Sequence, residues 1–271
     1  MDFVSLINDI LFKIFFIGAG TEPFLIQFIE TVLGLPKGSI VDITIHNSDL
    51  SPDNMKEKFF IVDLLATTLS GEIFHIELQT QMHPYFIERI LMYHAKLYSS
   101  QLKPGDPYSK INKTITIVIT NFIVDKDSSD YHNIYMIRNK SGKAISQMQE
   151  IHVLELPKLQ DVMTDEKSAW LQLFKVREEA ELEQIMKQFP SLKQAIVRLK
   201  VLNADEKLRE DVRNRNRALS LQRTVEENAE QRGIEKGKIE TARKLLSMGL
   251  SVAQVAEGTN LSIVDVEKLS N

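Results

Sequence analysis

Apolar residues along the first third of the chain recur at two different periods. Leu6, Ile10, Leu11 and Ile14 fall three to four positions apart, which predicts a helix over residues 5–17. The stretch "TEPFLIQFIETVLGLP" continues as a second helix, ended by Gly34 and Pro36. "SIVDITIHNSDL" alternates like a strand. Residues 61–81, "IVDLLATTLSGEIFHIELQTQ", hold two runs of strand length around a short turn. "PYFIERILMYHAKLYSSQLKPGD" is a strong helix between Pro84 and Pro104-Gly105. "KTITIVITNFIV" is β-branched and almost wholly apolar, as expected of a strand buried on both faces. "NIYMIRNKSGKAISQMQEIHVLELPKL" adds strands around a Ser-Gly turn. To about residue 160 the pattern is α/β, a mixed central sheet with flanking helices.

Beyond residue 165 the character changes. Residues 166–240 are charged and helix-forming, with no strand pattern. The final segment, "IETARKLLSMGLSVAQVAEGTNLSIVDVEKLS", holds short helices separated at Gly249-Leu250-Ser251 and at Gly258-Thr259-Asn260-Leu261-Ser262. In each break a glycine can end one helix and a serine can cap the next. The expected organisation is a core over 1–160, a charged helical region over 161–238, and a small helical tail over 239–271 that resembles a helix-turn-helix.

Bulk chemistry narrows the function classes. The chain has 271 residues, no cysteine and a net charge of −4. Disulfides, thiolate catalysis and cysteine-held zinc are excluded. No run approaches the ~18 apolar residues of a spanning helix, and "MDFVSLINDILFKIFF" lacks the basic leader of a secretory signal. The expectation is a cytoplasmic protein with no membrane contact. Overall charge does not advertise nucleic-acid binding, so such a role would rest on local patches. One is available: residues 198–223 carry eight basic side chains (Arg198, Lys200, Lys207, Arg209, Arg213, Arg215, Arg217, Arg223) against four acidic ones. Arg209, Arg213 and Arg217 are the chosen candidates for DNA-backbone contact; a solvated helix face with internal ion pairs is the competing reading.

The hairpin carries the densest chemistry. A two-residue turn at Ser70-Gly71 would set Asp63 opposite Leu78. A three-residue loop, Leu69-Ser70-Gly71, pairs Thr68 with Glu72 and sets Asp63 opposite Glu77. Glycine at the third loop position suits the left-handed residue that such loops need, so the second register is expected. Asp63, Glu77 and Gln79 then share one face. Two carboxylates that close repel unless a proton or a cation lies between them. With no Lys or Arg in either strand centre, a hard divalent cation such as Mg²⁺ or Mn²⁺ is the natural partner. A structural pair, with one acid protonated or clamped by Arg89, is the alternative.

An acid in one strand, a hairpin, then Glu-x-Gln in the next resembles the PD-(D/E)XK nuclease superfamily. The ordered set "NDILFKIFF", "VLGL", "IVDLLATTLSGEIFHIELQTQ", "FIERILMYHAKLYSSQLKPGDPYS", "TITIVIT" and "IHVLELPK" is similar to its bacterial recombination-promoting nucleases, also called PD-(D/E)XK family transposases. The tail "RGIEKGKIETARKLLSMGLSVAQVAEGTNLSIVDVEKL" matches as well. The resemblance implies a restriction-endonuclease-like core and a Mg²⁺- or Mn²⁺-dependent DNA endonuclease, with no nucleotide cofactor. Asp63 and Glu77 would hold the metal with the backbone carbonyl of Leu78, and Gln79 would orient the attacking water. Gln79 stands where most of the superfamily has lysine, and Val62 where its name has proline.

Supporting candidates have structural alternatives. Asp9 and Lys13 lie one helical turn apart; the resemblance makes Asp9 an outer-sphere metal partner and Lys13 a phosphate contact, whereas a surface ion pair is the plain reading. Arg89 and Tyr93, also four apart, could face the carboxylates or the phosphate. His75 falls on the Glu77 face, but structural roles are the preferred reading of His75, His83 and His94. The tail's last helix presents Asp265 and Glu267 with one base, Lys268, which suits protein or dimer contact better than base reading. A non-catalytic DNA- or protein-binding regulatory module on a nuclease fold is the competing functional class.

Overall fold

The structure, a computed structural model, describes residues 3–18, 20–46 and 63–270. These residues gather into two compact units, Met1–Arg209 and Glu210–Asn271.

The first unit is built on a six-stranded mixed sheet. Its strands are β1 (Ile43–His46), β2 (Leu64–Thr68), β3 (Ile73–Gln79), β4 (Thr114–Thr120), β5 (His132–Tyr135) and β6 (Gln149–Glu155), in the spatial order β1-β2-β3-β4-β6-β5. β3, β4 and β6 run parallel; the other pairs are antiparallel. The expected α/β architecture is therefore present. The β-branched run of β4 is buried at every position and forms the centre of the parallel part. Its threonines, Thr114, Thr116 and Thr120, all lie on one face, so the strand that reads as wholly apolar carries a polar row.

Helix α1 (Asp9–Phe16) starts later than the apolar spacing suggests, because Asn8 accepts the Leu11 amide and caps it. Helix α2 (Glu22–Leu33) ends at Gly34, whose φ of 67° supplies the left-handed cap. Helix α3 (Phe86–Ser99) crosses from β3 to β4 and lays Phe86 and Ile90 against Val118. Helices α4 (Glu166–Gln172), α5 (Glu179–Gln188) and α6 (Lys193–Ala204) complete the unit. Charged as their sequences are, they bury Trp170, Phe174, Leu182, Ile196 and Leu199. Trp170 meets Phe15, Phe16 and Phe28 of α1 and α2. Arg198 of α6 donates from Nε to Phe15 O (3.0 Å) and from Nη2 to Ile14 O (2.7 Å), satisfying carbonyls at the end of α1.

The second unit takes up α7 (Glu206–Ser247) from Glu210 onward, followed by α8 (Val252–Thr259) and α9 (Ile263–Ser270). Ala242, Val255, Ala256 and Val266 form its small core. Ser251 caps α8 through a capping box with Gln254, and Ser262 accepts the Asp265 amide, as the sequence suggests. The second helix break differs from expectation: Gly258 sits inside α8, and Asn260 takes the left-handed position at φ 53°. Asparagine tolerates that conformation better than other non-glycine residues, so the glycine is not needed there.

Candidate active site

The hairpin adopts the three-residue register. Leu64 pairs with Ile76 and Thr67 with Ile73, which carries Asp63 opposite Glu77. The Thr68 amide donates to Glu72 O at 3.0 Å, and Gly71 closes the loop at φ 89°. A Cβ at Gly71 would lie 2.3 Å from Asn112 Nδ2, so both backbone angle and space call for glycine. Residues 47–62 lie outside the described residues, and with them Val62, at the proline position of the motif.

Asp63 sits at the mouth of the hairpin. Its Oδ2 accepts the Leu78 amide at 2.9 Å, and its Oδ1 lies 3.6 Å from Lys13 Nζ of α1. Glu77 is buried in the middle of β3. Burial, reinforced by the Glu77 charge, pushes the Asp63 pKa up to about 7; the Leu78 amide and Lys13 oppose this only in part. Burial likewise raises Glu77, against the pull of its hydrogen bond to Asp63 and of the Arg89 charge. Burial is the largest cause of both shifts: the site strips water from two carboxylates, and Lys13 and the Arg89 charge offset this only in part.

Gln79 ends the polar row. Arg89 Nη2 donates to its Oε1 at 2.8 Å, bringing a guanidinium from α3 to the end of β3. The Arg89 Nε is buried without a hydrogen-bond partner. Tyr93 is buried one turn further along α3, its ring 6.4 Å from that of His75. Asp9 opens α1 and accepts the Ile10 amide. The fold thus brings Asp63, Glu77, Gln79, Lys13 and Arg89 together. Arg209 lies 3.9 Å from Glu206, while Arg213 and Arg217 are exposed on α7 in the second unit; the Arg223 side chain lies outside the description.

His75, His94 and Thr116 were not singled out as functional residues. His75 is fully buried beside Glu77, with Nε2 3.8 Å from Glu77 Oε1. Burial lowers the pKa of His75 to about 4, and burial with the neighbouring His75 lowers that of His94 to about 4, partly offset by Gln149. The alternating threonines of "TITIVIT" are the signal that could have found this row.

Among the described residues, no group of three or more His, Cys, Asp or Glu side chains gathers to hold an ion. Two carboxylates alone suit a small hard cation that retains water ligands. A cation between the two would replace the hydration that burial removes, so the donor set fits one.

Residues 6–229 match the family described as PD-(D/E)XK nuclease family transposase, and the mixed sheet with its flanking helices is consistent with the restriction-endonuclease-like α/β fold of such nucleases. Comparisons with curated proteins and with solved structures gave no match.

Proposed function

The chain belongs to the PD-(D/E)XK nuclease family transposases, and on that premise we propose that it is a Mg²⁺- or Mn²⁺-dependent DNA endonuclease of low sequence specificity, acting in recombination or transposition. The observation that carries the reading is the register that sets Asp63 opposite Glu77 in a buried carboxylate pair.

Asp63 and Glu77 would hold the ion, with the Leu78 carbonyl as a further ligand. When bound, the ion supplies acidity to a ligated water and positive charge to the phosphate. The chain's own residues do the rest. Gln79 has its oxygen tied to Arg89, so its amide N–H groups are left to orient the attacking water. Arg89 carries a planar guanidinium of the kind suited to phosphate oxygens. It also supplies the charge that glutamine lacks. Lys13 balances Asp63 in the ion-free site and would turn to the phosphate once an ion takes over that charge. Asp9 at the head of α1 and Tyr93 under Arg89 complete the supporting set.

Low specificity accords with the tail. In α9, Lys268 is engaged by Asp265, which leaves an acidic surface poorly suited to base edges. Backbone contact would fall to Arg209, Arg213 and Arg217, making binding salt-sensitive. We assign nuclease chemistry to residues 1–160, DNA-backbone contact to 161–238 and a protein or homodimer contact to 239–271. No helix among the described residues is long and apolar enough to cross a membrane. The reading places the protein in the cytoplasm and needs no nucleotide cofactor.

One observation favours the competing reading of a non-catalytic binding module: Lys13 already stands on Asp63, and Gln79 has no charge of its own. Nicking of supercoiled plasmid separates the two. Purified protein should cut with Mg²⁺ or Mn²⁺ and not with EDTA. Asp63→Ala and Glu77→Ala, shown to be folded by circular dichroism, should not cut. Wild type that binds DNA without ever cutting, or variants as active as wild type, would hand the case to the binding module.

A further inference from the structure

Behind Glu77 the polar row continues into a set of groups that the proposed cleavage chemistry does not use. Thr116 Oγ1, buried on β4, lies 2.9 Å from His94 Nδ1 of α3 and 3.4 Å from His75 Nδ1 of β3. The far nitrogen of His75, Nε2, has no hydrogen-bond partner and faces Glu77 Oε1 at 3.8 Å. All three side chains belong to buried residues. A neutral imidazole has one N–H and one lone pair, and a hydroxyl has one proton to give. Of the arrangements these groups allow, two run as a chain of donors through the hydroxyl. In one, His75 Nδ1–H donates to Thr116 and Thr116 donates to His94. The lone pair of His75 Nε2 then faces a carboxylate oxygen 3.8 Å away, which is repulsive. In the other, His94 Nδ1–H donates to Thr116, Thr116 donates to His75 Nδ1, and His75 turns an N–H toward Glu77. With Glu77 ionised, as a cation ligand must be, only the second order gives it an attractive neighbour, and low local polarity enlarges the difference.

We propose that His94, Thr116 and His75 form an ordered hydrogen-bond relay that makes His75 an N–H donor toward Glu77, so that His75 is a positioning residue for the proposed cation ligand. The positioning role rests on the reading of Glu77 as a metal ligand; the relay itself does not. Through it, α3 and β4 fix which oxygen of Glu77 faces inward and which is left to the ion and Asp63. Partners of this kind, one bond removed from a ligand, tune metal affinity by about 10–100-fold.

The ring tautomers decide the relay directly. Long-range ¹H–¹⁵N correlation spectra of the ¹⁵N-histidine-labelled full chain, assigned with single histidine variants, should show His75 protonated at Nε2 and His94 at Nδ1. Thr116→Val removes the hydroxyl with little change of shape and should release the His94 preference; Thr116→Ser should keep it. His94→Phe is a second break should the valine variant fold poorly. Calorimetric titration with Mn²⁺ should show about tenfold weaker binding by Thr116→Val and near wild-type binding by Thr116→Ser. His75 protonated at Nδ1, or His94 at Nε2, in the wild type would overturn the relay. Unchanged Mn²⁺ affinity in folded Thr116→Val would overturn the positioning role. Wild type that binds no Mn²⁺ would sink the metal reading, and the positioning role with it, while the tautomers still judge the relay.

Discussion

Two polar networks are built into the sheet, one on each face, and they are satisfied to very different degrees. On the α3 face lie Asp63, Glu77, Gln79 and His75, with both carboxyl pKa values raised by burial and with His75 Nε2 and Arg89 Nε unpartnered. On the other face, near the β5 edge, runs a closed chain. Lys167 Nζ is 3.1 Å from His132 Nδ1, and His132 Nε2 is 2.9 Å from His152 Nδ1. His152 Nε2 is then 3.3 Å from Glu150, which is held by Lys113 at 2.8 Å. Every ring nitrogen there has a partner. Both networks contain histidines held neutral by burial, so titratable groups or depressed pKa values alone do not mark a site. The difference lies in hydrogen bonding: the histidine chain near β5 is filled, while the hairpin side leaves buried nitrogens without partners, which is where a ligand would find them.

Substitutions should break this contrast in opposite directions. Asp63→Asn should abolish plasmid nicking yet leave the chain as stable as wild type or about 1 kcal/mol more stable, because it removes repulsion and keeps an acceptor for the Leu78 amide. Urea unfolding beside the nicking assay tests both halves, and a marked destabilisation would show that the pair is structural. His132→Leu should do the reverse. It strands Lys167 and His152, costs about 2 kcal/mol, and leaves cleavage by the folded fraction intact. A loss of cleavage at full folding would join the two networks into one site.

Gly71→Ala probes the register beneath the contrast. The strained backbone and the clash with Asn112 should cost about 1–2 kcal/mol in urea unfolding and weaken nicking in proportion to the loss of folded protein. Full stability would mean that the loop does not lock the strands.

The smallest effect is with pH. Burial, with Lys167 and His152 nearby, lowers the His132 pKa to about 3 from its ordinary 6.5. Above pH 6.5 both folded and unfolded chains leave the ring neutral. Below it the unfolded chain takes up a proton that the folded one refuses, so stability falls from pH 6.5 down to about 3. For this partly exposed ring the loss between pH 7.5 and 5.5 should be at most about 1 kcal/mol. His132→Leu should lose correspondingly less across that range, and equal losses in the two proteins would dismiss His132 as the cause.

The hairpin was legible because local chemistry specified it: glycine at the third loop position selects the register, and alternation does the rest. β4 was legible as a buried strand but not as the carrier of a polar row, since isolated threonines among isoleucines do not disturb an apolar pattern. The His94–Thr116 contact joins residues from different elements, and no spacing rule connects a helix to the strand that follows it. The same holds for Arg89 and Gln79, whose pairing requires α3 to lie on one particular face of β3.

Sequence by itself determined the α/β character, the hairpin with its opposed Asp63 and Glu77, and the capped helices of the tail. These follow from contacts between near neighbours in the chain, where period and turn chemistry leave few options. Tertiary structure alone decided that charged-looking α4 and α6 bury a core against α1 and α2, and that Arg198 fastens the end of the helix that carries Lys13. It also decided that one polar network closes on itself while the other stays open. Those outcomes depend on how whole faces pack, and a long-range contact takes its energy from both surfaces at once, of which the sequence displays only one at a time.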